Sequence, residues 1–126
     1  MQITFGGNKK INASVHGFEI RTDQPAAAGG DGSAPTPFDL FLASLGTCAG
    51  IFAVGFLQSR KLSTEGFKID MSFEWDEGAH LIRKVGMKVT LPENFPPQYK
   101  AALIKSMELC TVKRHLAEPP RFEITA

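Results

Sequence analysis

From Leu40 to Ser59 the chain runs LFLASLGTCAGIFAVGFLQS without one charged side chain. A helix that is apolar on every side has no face to give to water, so it either crosses a membrane or is covered by protein all round. Gly46, Gly50, Gly55, Ser44, Thr47 and Ser59 dilute this stretch, and its flanks carry capping residues rather than topology signals. The rest of the chain alternates as a soluble sheet does. The stretch is therefore read as a buried central helix, with no membrane partner. A chain of 126 residues has too little material to cover such a helix alone. A second copy is expected to supply one wall, in an obligate dimer.

The same stretch holds Cys48, and the second cysteine, Cys110, follows in MELCTVKRHL. Buried thiols in apolar surroundings are usually inert, so two readings stand: a pair of core cysteines, or a redox pair. The start, MQITFGGNKK, has no apolar segment of the kind a signal peptide needs. A reducing cytoplasm is the expected compartment, where a disulfide is more often catalytic or sensing than structural. There is no CxxC or HExxH, and His16, His80 and His115 are scattered. No metal and no cofactor is expected. A formal charge of +1 gives no reason to expect a nucleic-acid partner.

Periodicity supplies the remaining elements. Gln2 to Phe5 and Lys10 to Val15 read as strands, and His16-Gly17 as a tight turn into Phe18 to Asp23. Residues 24–36, QPAAAGGDGSAPT, form a loop without helical or strand pattern. Thr36-Pro37-Phe38-Asp39 is a helix start, with Thr as N-cap and Asp facing the first free amides. The helix is expected to run to about Arg60-Lys61. Phe67, Ile69, Met71, Phe73 and Trp75 then share one strand face, and Val85, Met87, Val89 and Leu91 share another, across a turn at Asp76-Glu77-Gly78. Pro96-Pro97 opens a second helix with Tyr99, Leu103, Met107 and Cys110 on one stripe, and Arg121 to Thr125 reads as an edge strand. The expected fold class is α+β: one domain over residues 1–126, with antiparallel sheet around a hydrophobic helix. Residues 1–35 supply N-terminal strands and a Gly/Pro loop, and 36–126 a helix-hairpin-helix-strand core.

Both cysteines are expected to point into that core. A helical kink at Cys110 before Thr111-Val112-Lys113-Arg114 would turn free amides and cations on the Cys110 thiol and lower its pKa. Cys48 has no charge within eight residues on either side. Its activation must come from elsewhere in the fold or from a partner chain.

The run GGDGSAPTPFDLFLASLGTCAG resembles the signature of the OsmC/Ohr family of thiol-dependent peroxidases: a glycine-rich loop, a proline, an acidic residue, then a leucine-rich helix ending in cysteine. LCTVKRHL resembles the family's second motif, Cys-Pro-Val before an apolar helix. Cysteine separation, element order and length agree over essentially the whole chain, and GFEIRTDQP followed by GGDG and PTP is similar to the broad OsmC-like branch. The resemblance implies an intertwined homodimer with two active sites at the subunit interface. It makes Cys48 the peroxidatic thiolate and Cys110 the resolving thiol, recycled by a dithiol or lipoyl-type reductant. An apolar pocket would favour organic hydroperoxides over hydrogen peroxide.

Two positions depart from the family pattern. Peroxidase members carry an arginine in an early glycine turn, and here the run is Gly6-Gly7-Asn8-Lys9-Lys10. Lys9 or Lys10 would then give a point charge without the bidentate geometry of a guanidinium, and Arg21 is a further candidate cation. Members also carry a glutamate ten positions before the cysteine, where this chain has Phe38. Asp39 is the adjacent acid, as support for the site or as a helix-terminal carboxylate. The leading expectation is a thiol peroxidase acting on organic hydroperoxides. The alternatives are a non-catalytic relative that binds a small molecule, and a redox sensor built on the Cys48/Cys110 pair.

Overall fold

The computed structural model describes residues 1–126, in two compact units, Met1–Ala43 and Ser44–Ala126. In the first, β1 (Gln2–Phe5), β2 (Ile11–Val15) and β3 (Phe18–Thr22) form an antiparallel meander in chain order. His16 and Gly17 both have left-handed backbone, φ 50° and 82°, while Val15 pairs with Phe18. That is the two-residue hairpin turn whose twist matches the strands it joins.

The loop after β3 is organised, although its sequence has no periodicity. Asp23 is fully buried, and its carboxylate accepts hydrogen bonds from the amides of Gln24, Asp31 and Ser33 and from the Ser33 hydroxyl. Those donors, led by the Ser33 amide, hold its pKa down at about 2. Gly30 passes so close to the Gln24 carbonyl that a Cβ there would collide with backbone. Lys10 and Asn8 grip Asp31 on the same loop.

Helix α1 (Pro37–Ser59) begins as its sequence predicts. The Thr36 amide and hydroxyl both donate to the Asp39 carboxylate at 2.8 Å, and the Asp39 amide donates back to Thr36 Oγ1 at 3.1 Å. This reciprocal pairing satisfies first-turn amides that otherwise have no partner. The helix ends two residues short of Lys61. Leu62 N–H donates to the Leu57 carbonyl and Lys61 N–H to that of Gln58, with Lys61 at φ 56°, so a left-handed residue closes the last turn.

In the second unit Leu45, Ala49, Ala53, Phe56 and Leu57 form the buried stripe of α1. Four-residue and three-residue steps keep them on one face. Ala49, Ala53, Phe56 and Leu57 pack with Leu103 and Met107 and with partly buried Ile69, Met87 and Val89. Ile51, on the opposite face, is 64% exposed. The single chain thus covers α1 along one side, and 22% of its most apolar window is buried. By length and composition this helix could also cross a membrane, and one stripe of it packs into the core.

Strands β4 (Lys68–Asp76) and β5 (Leu81–Thr90) pair as an antiparallel hairpin. The cross-strand pairs Ile69–Val89, Met71–Met87 and Phe73–Val85 gather the apolar face that the alternation predicts. A register shift between Glu74 and Trp75 breaks that alternation, and Trp75 is 56% exposed instead of sharing the face.

The predicted second helix is divided. A single 3-10 turn, Pro97–Tyr99, leads into α2 (Lys100–Met107), the chain breaks at Glu108–Cys110, and α3 (Thr111–Ala117) starts afresh. Cys110 therefore lies between helices, with φ −49° and ψ 120°. Residues 121–125 are not a strand. Phe122 and Ile124 are 87% and 98% exposed, and no strand runs beside them to complete a ladder.

Candidate active site

Helix α1 and the break between α2 and α3 carry the two cysteines to one point. Both are free thiols, Cys48 half-buried and Cys110 fully buried, with their sulfurs about 3.1 Å apart. That is longer than a disulfide bond and shorter than an open contact between thiols, so the pair closes with small movement. Gly46 lets α1 lie close on the hairpin here. A Cβ at that position would stand 2.5 Å from Met71 Sδ.

The two thiols are driven in opposite directions. Burial by itself would push Cys48 up. The Val112 amide, the Cys110 thiol and the Thr111 amide outweigh it, aided by the charge of Lys113, and hold Cys48 below its ordinary value of 9.0. Cys110 is raised, by burial first and then by its hydrogen bond to Cys48, and the amides of Lys113 and Val112 offset only part of this. The fresh helical start expected after Cys110 is present, but its amides favour the thiolate of Cys48. The activation that Cys48 lacks in its own sequence neighbourhood comes from α3 of the same chain.

The Cys110 proton has two acceptors, the Leu45 carbonyl at 4.0 Å and the much nearer Cys48 sulfur. Once Cys48 ionises, the charged acceptor is the stronger one. A cavity of about 330 Å³ is lined by Leu45, whose carbonyl faces the Cys110 thiol, by Lys113, whose charge acts on Cys48, and by Val85, Met87 and Leu116. A smaller one of about 100 Å³ shares Met87 and Lys113 and adds Val89, Ile104, Met107 and Glu108. The arrangement suits attack by an acidic thiolate on a largely apolar molecule, followed by capture of the oxidised sulfur by the second thiol.

Of the other residues singled out by the sequence, all but Lys9 are held by partners of their own. Asp39 is bound to Thr36 as the helix cap. In the first unit, the Arg21 guanidinium holds Glu19 at 2.8 and 2.9 Å, Lys10 holds Asp31, and Lys9 is exposed against Gly29. No group of His, Cys, Asp and Glu is gathered for a metal ion. The cavity wall on β5 was not foreseen as a site, because Val85 and Met87 read simply as the inward face of a strand.

The chain matches the family model described as OsmC-like protein over residues 30–125. No curated protein matches it. Among solved structures it is similar to a candidate osmotic stress induced and detoxification response protein of Psychrobacter arcticus 273-4, with a TM-score of 0.77 at 19% identity, covering 90% of this chain and 84% of that one. A second structure, described only as structural genomics, has a TM-score of 0.74 at 17% identity over 94% and 88% of the two chains. At these identities the likeness is one of fold. The extent of the family match, which takes in both cysteines, makes this chain a member of the OsmC-like family.

Proposed function

We propose that this protein is a thiol-dependent peroxidase that reduces organic hydroperoxides by cycling Cys48 and Cys110 between dithiol and disulfide. The observation that carries the proposal is the pair itself: two free thiols about 3.1 Å apart, with the lowered pKa on the more accessible one. The Cys48 thiolate attacks the terminal oxygen of the hydroperoxide. The S–O bond forms, the O–O bond breaks, Cys48 becomes a sulfenic acid, and the alkoxide takes a proton to leave as alcohol. Cys110 then attacks the sulfenic sulfur, water leaves, and a disulfide remains. A dithiol of lipoyl type reduces it by exchange.

The raised pKa of Cys110 fits this order. Its proton stabilises the Cys48 thiolate before the first step, and the charge that suppresses its own ionisation disappears once Cys48 is oxidised. The apolar wall of Leu45, Val85, Met87 and Leu116 favours an organic hydroperoxide. We propose a homodimer as the working form, because an apolar helix with Ile51 exposed calls for a covering surface.

Stopped-flow oxidation of the reduced protein by cumene hydroperoxide and by hydrogen peroxide, with thiols counted afterwards, tests the proposal. Fast loss of both thiols, faster with the organic peroxide and repeated on adding a dithiol, is expected. Oxidation no faster than that of a free thiol, or a single event without turnover, would overturn it in favour of a ligand binder or a redox sensor respectively.

A further inference from the structure

Fourteen lysines and arginines occur in this chain, and twelve of them are exposed. The two partly buried ones are Lys10 and Lys113. Lys10 is neutralised by Asp31. Lys113 joins none of the chain's ion pairs, yet it lines both cavities, one of them walled by Leu45, whose carbonyl faces the Cys110 thiol. A lysine without an ion-pair partner keeps its charge available to another group within a few ångströms. The acid sharing its surroundings is Glu108, on the wall of the smaller cavity, and the other titratable groups at the site are Cys48 and Cys110.

We infer that Lys113 is the positioning cation of this site: from the shared wall of the two cavities its ammonium stabilises the Cys48 thiolate and draws a hydroperoxide's departing oxygen toward the same charge. This deepens the peroxidase reading and rests on it. Position supports the role, since residue 113 lies in the first turn of α3, whose amides at 111 and 112 already serve Cys48. The direction of its effect agrees, because Lys113 lowers the Cys48 pKa. A cation on the pocket wall is also available to the alkoxide produced there, which carries the negative charge once the thiolate has been consumed.

The test is the pH profile of Cys48 alkylation by iodoacetamide in the full-length reduced protein, read by mass spectrometry of the Cys48 peptide without peroxide. In Lys113→Met the midpoint is expected to rise, and in Lys113→Arg to return close to the original. Should Lys113→Met fail to fold by circular dichroism, Lys113→Gln is read in its place. An unmoved midpoint in the neutral variant, or an equal rise in Lys113→Arg, overturns the inference. Because this titration contains no peroxide, it stands apart from the turnover assay, whose failure would instead count against the peroxidase reading.

Discussion

Cys110 and Cys48 bias each other's protonation: with the sulfurs about 3.1 Å apart, the Cys110 thiol proton favours the Cys48 thiolate, and that thiolate in turn keeps Cys110 protonated. The pair therefore ionises in a fixed order. Alkylation followed against pH should give a Cys48 midpoint below 9.0 and a Cys110 midpoint above it. In Cys110→Ser the Cys48 midpoint should move upward, because a thiol donor is replaced by a weaker acid. Coincident midpoints in the intact protein would contradict the coupling.

Roles differ accordingly. Cys48→Ser is expected to reduce peroxide consumption to the uncatalysed background. Cys110→Ser should consume one equivalent per chain and then stop, with a sulfenic acid that dimedone traps on Cys48. Equal partial losses in the two variants would show that neither assignment holds.

Helix capping separates stability from chemistry at the start of α1. Thr36→Ala removes an amide acceptor and one arm of the reciprocal pair, and is expected to cost about 1 kcal/mol in urea unfolding. Peroxide turnover per folded molecule should be unchanged. A specific fall in turnover in Asp39→Asn, at unchanged folded fraction, would instead assign that carboxylate to the active site.

The loop around Asp23 should control behaviour in acid. Its folded-state pKa, about 2, lies below its ordinary value of 3.8, so the stability it contributes is fully present above about pH 4 and lost as pH falls through 2. Asp23→Asn should be less stable at neutral pH, and its stability should fall less steeply over that window. Identical slopes for the two proteins would exclude Asp23 as the titrating group.

Much of this architecture is local, and local features are legible in a sequence. The strand alternation from Phe67 to Phe73, the His16-Gly17 turn and the Thr36–Asp39 cap each depend on residues a few positions apart, and each is found where the sequence puts it. The two cysteine motifs are likewise readable as family signature. Other features required the third dimension. Trp75 leaves its face because of a bulge set by pairing with β5, and residues 121–125 have the alternation of a strand without a neighbour to pair with. Asp23 organises a loop whose composition suggested no order.

The active site divides in the same way. Sequence by itself determined that this chain carries two thiols, one in an uncharged helix and one at a helical break beside cations. Only the tertiary structure decided which thiol those amides and that lysine serve. Hydrogen bonds and charge act over a few ångströms of space, and residues 48 and 110 become neighbours only when α1 and the start of α3 come together.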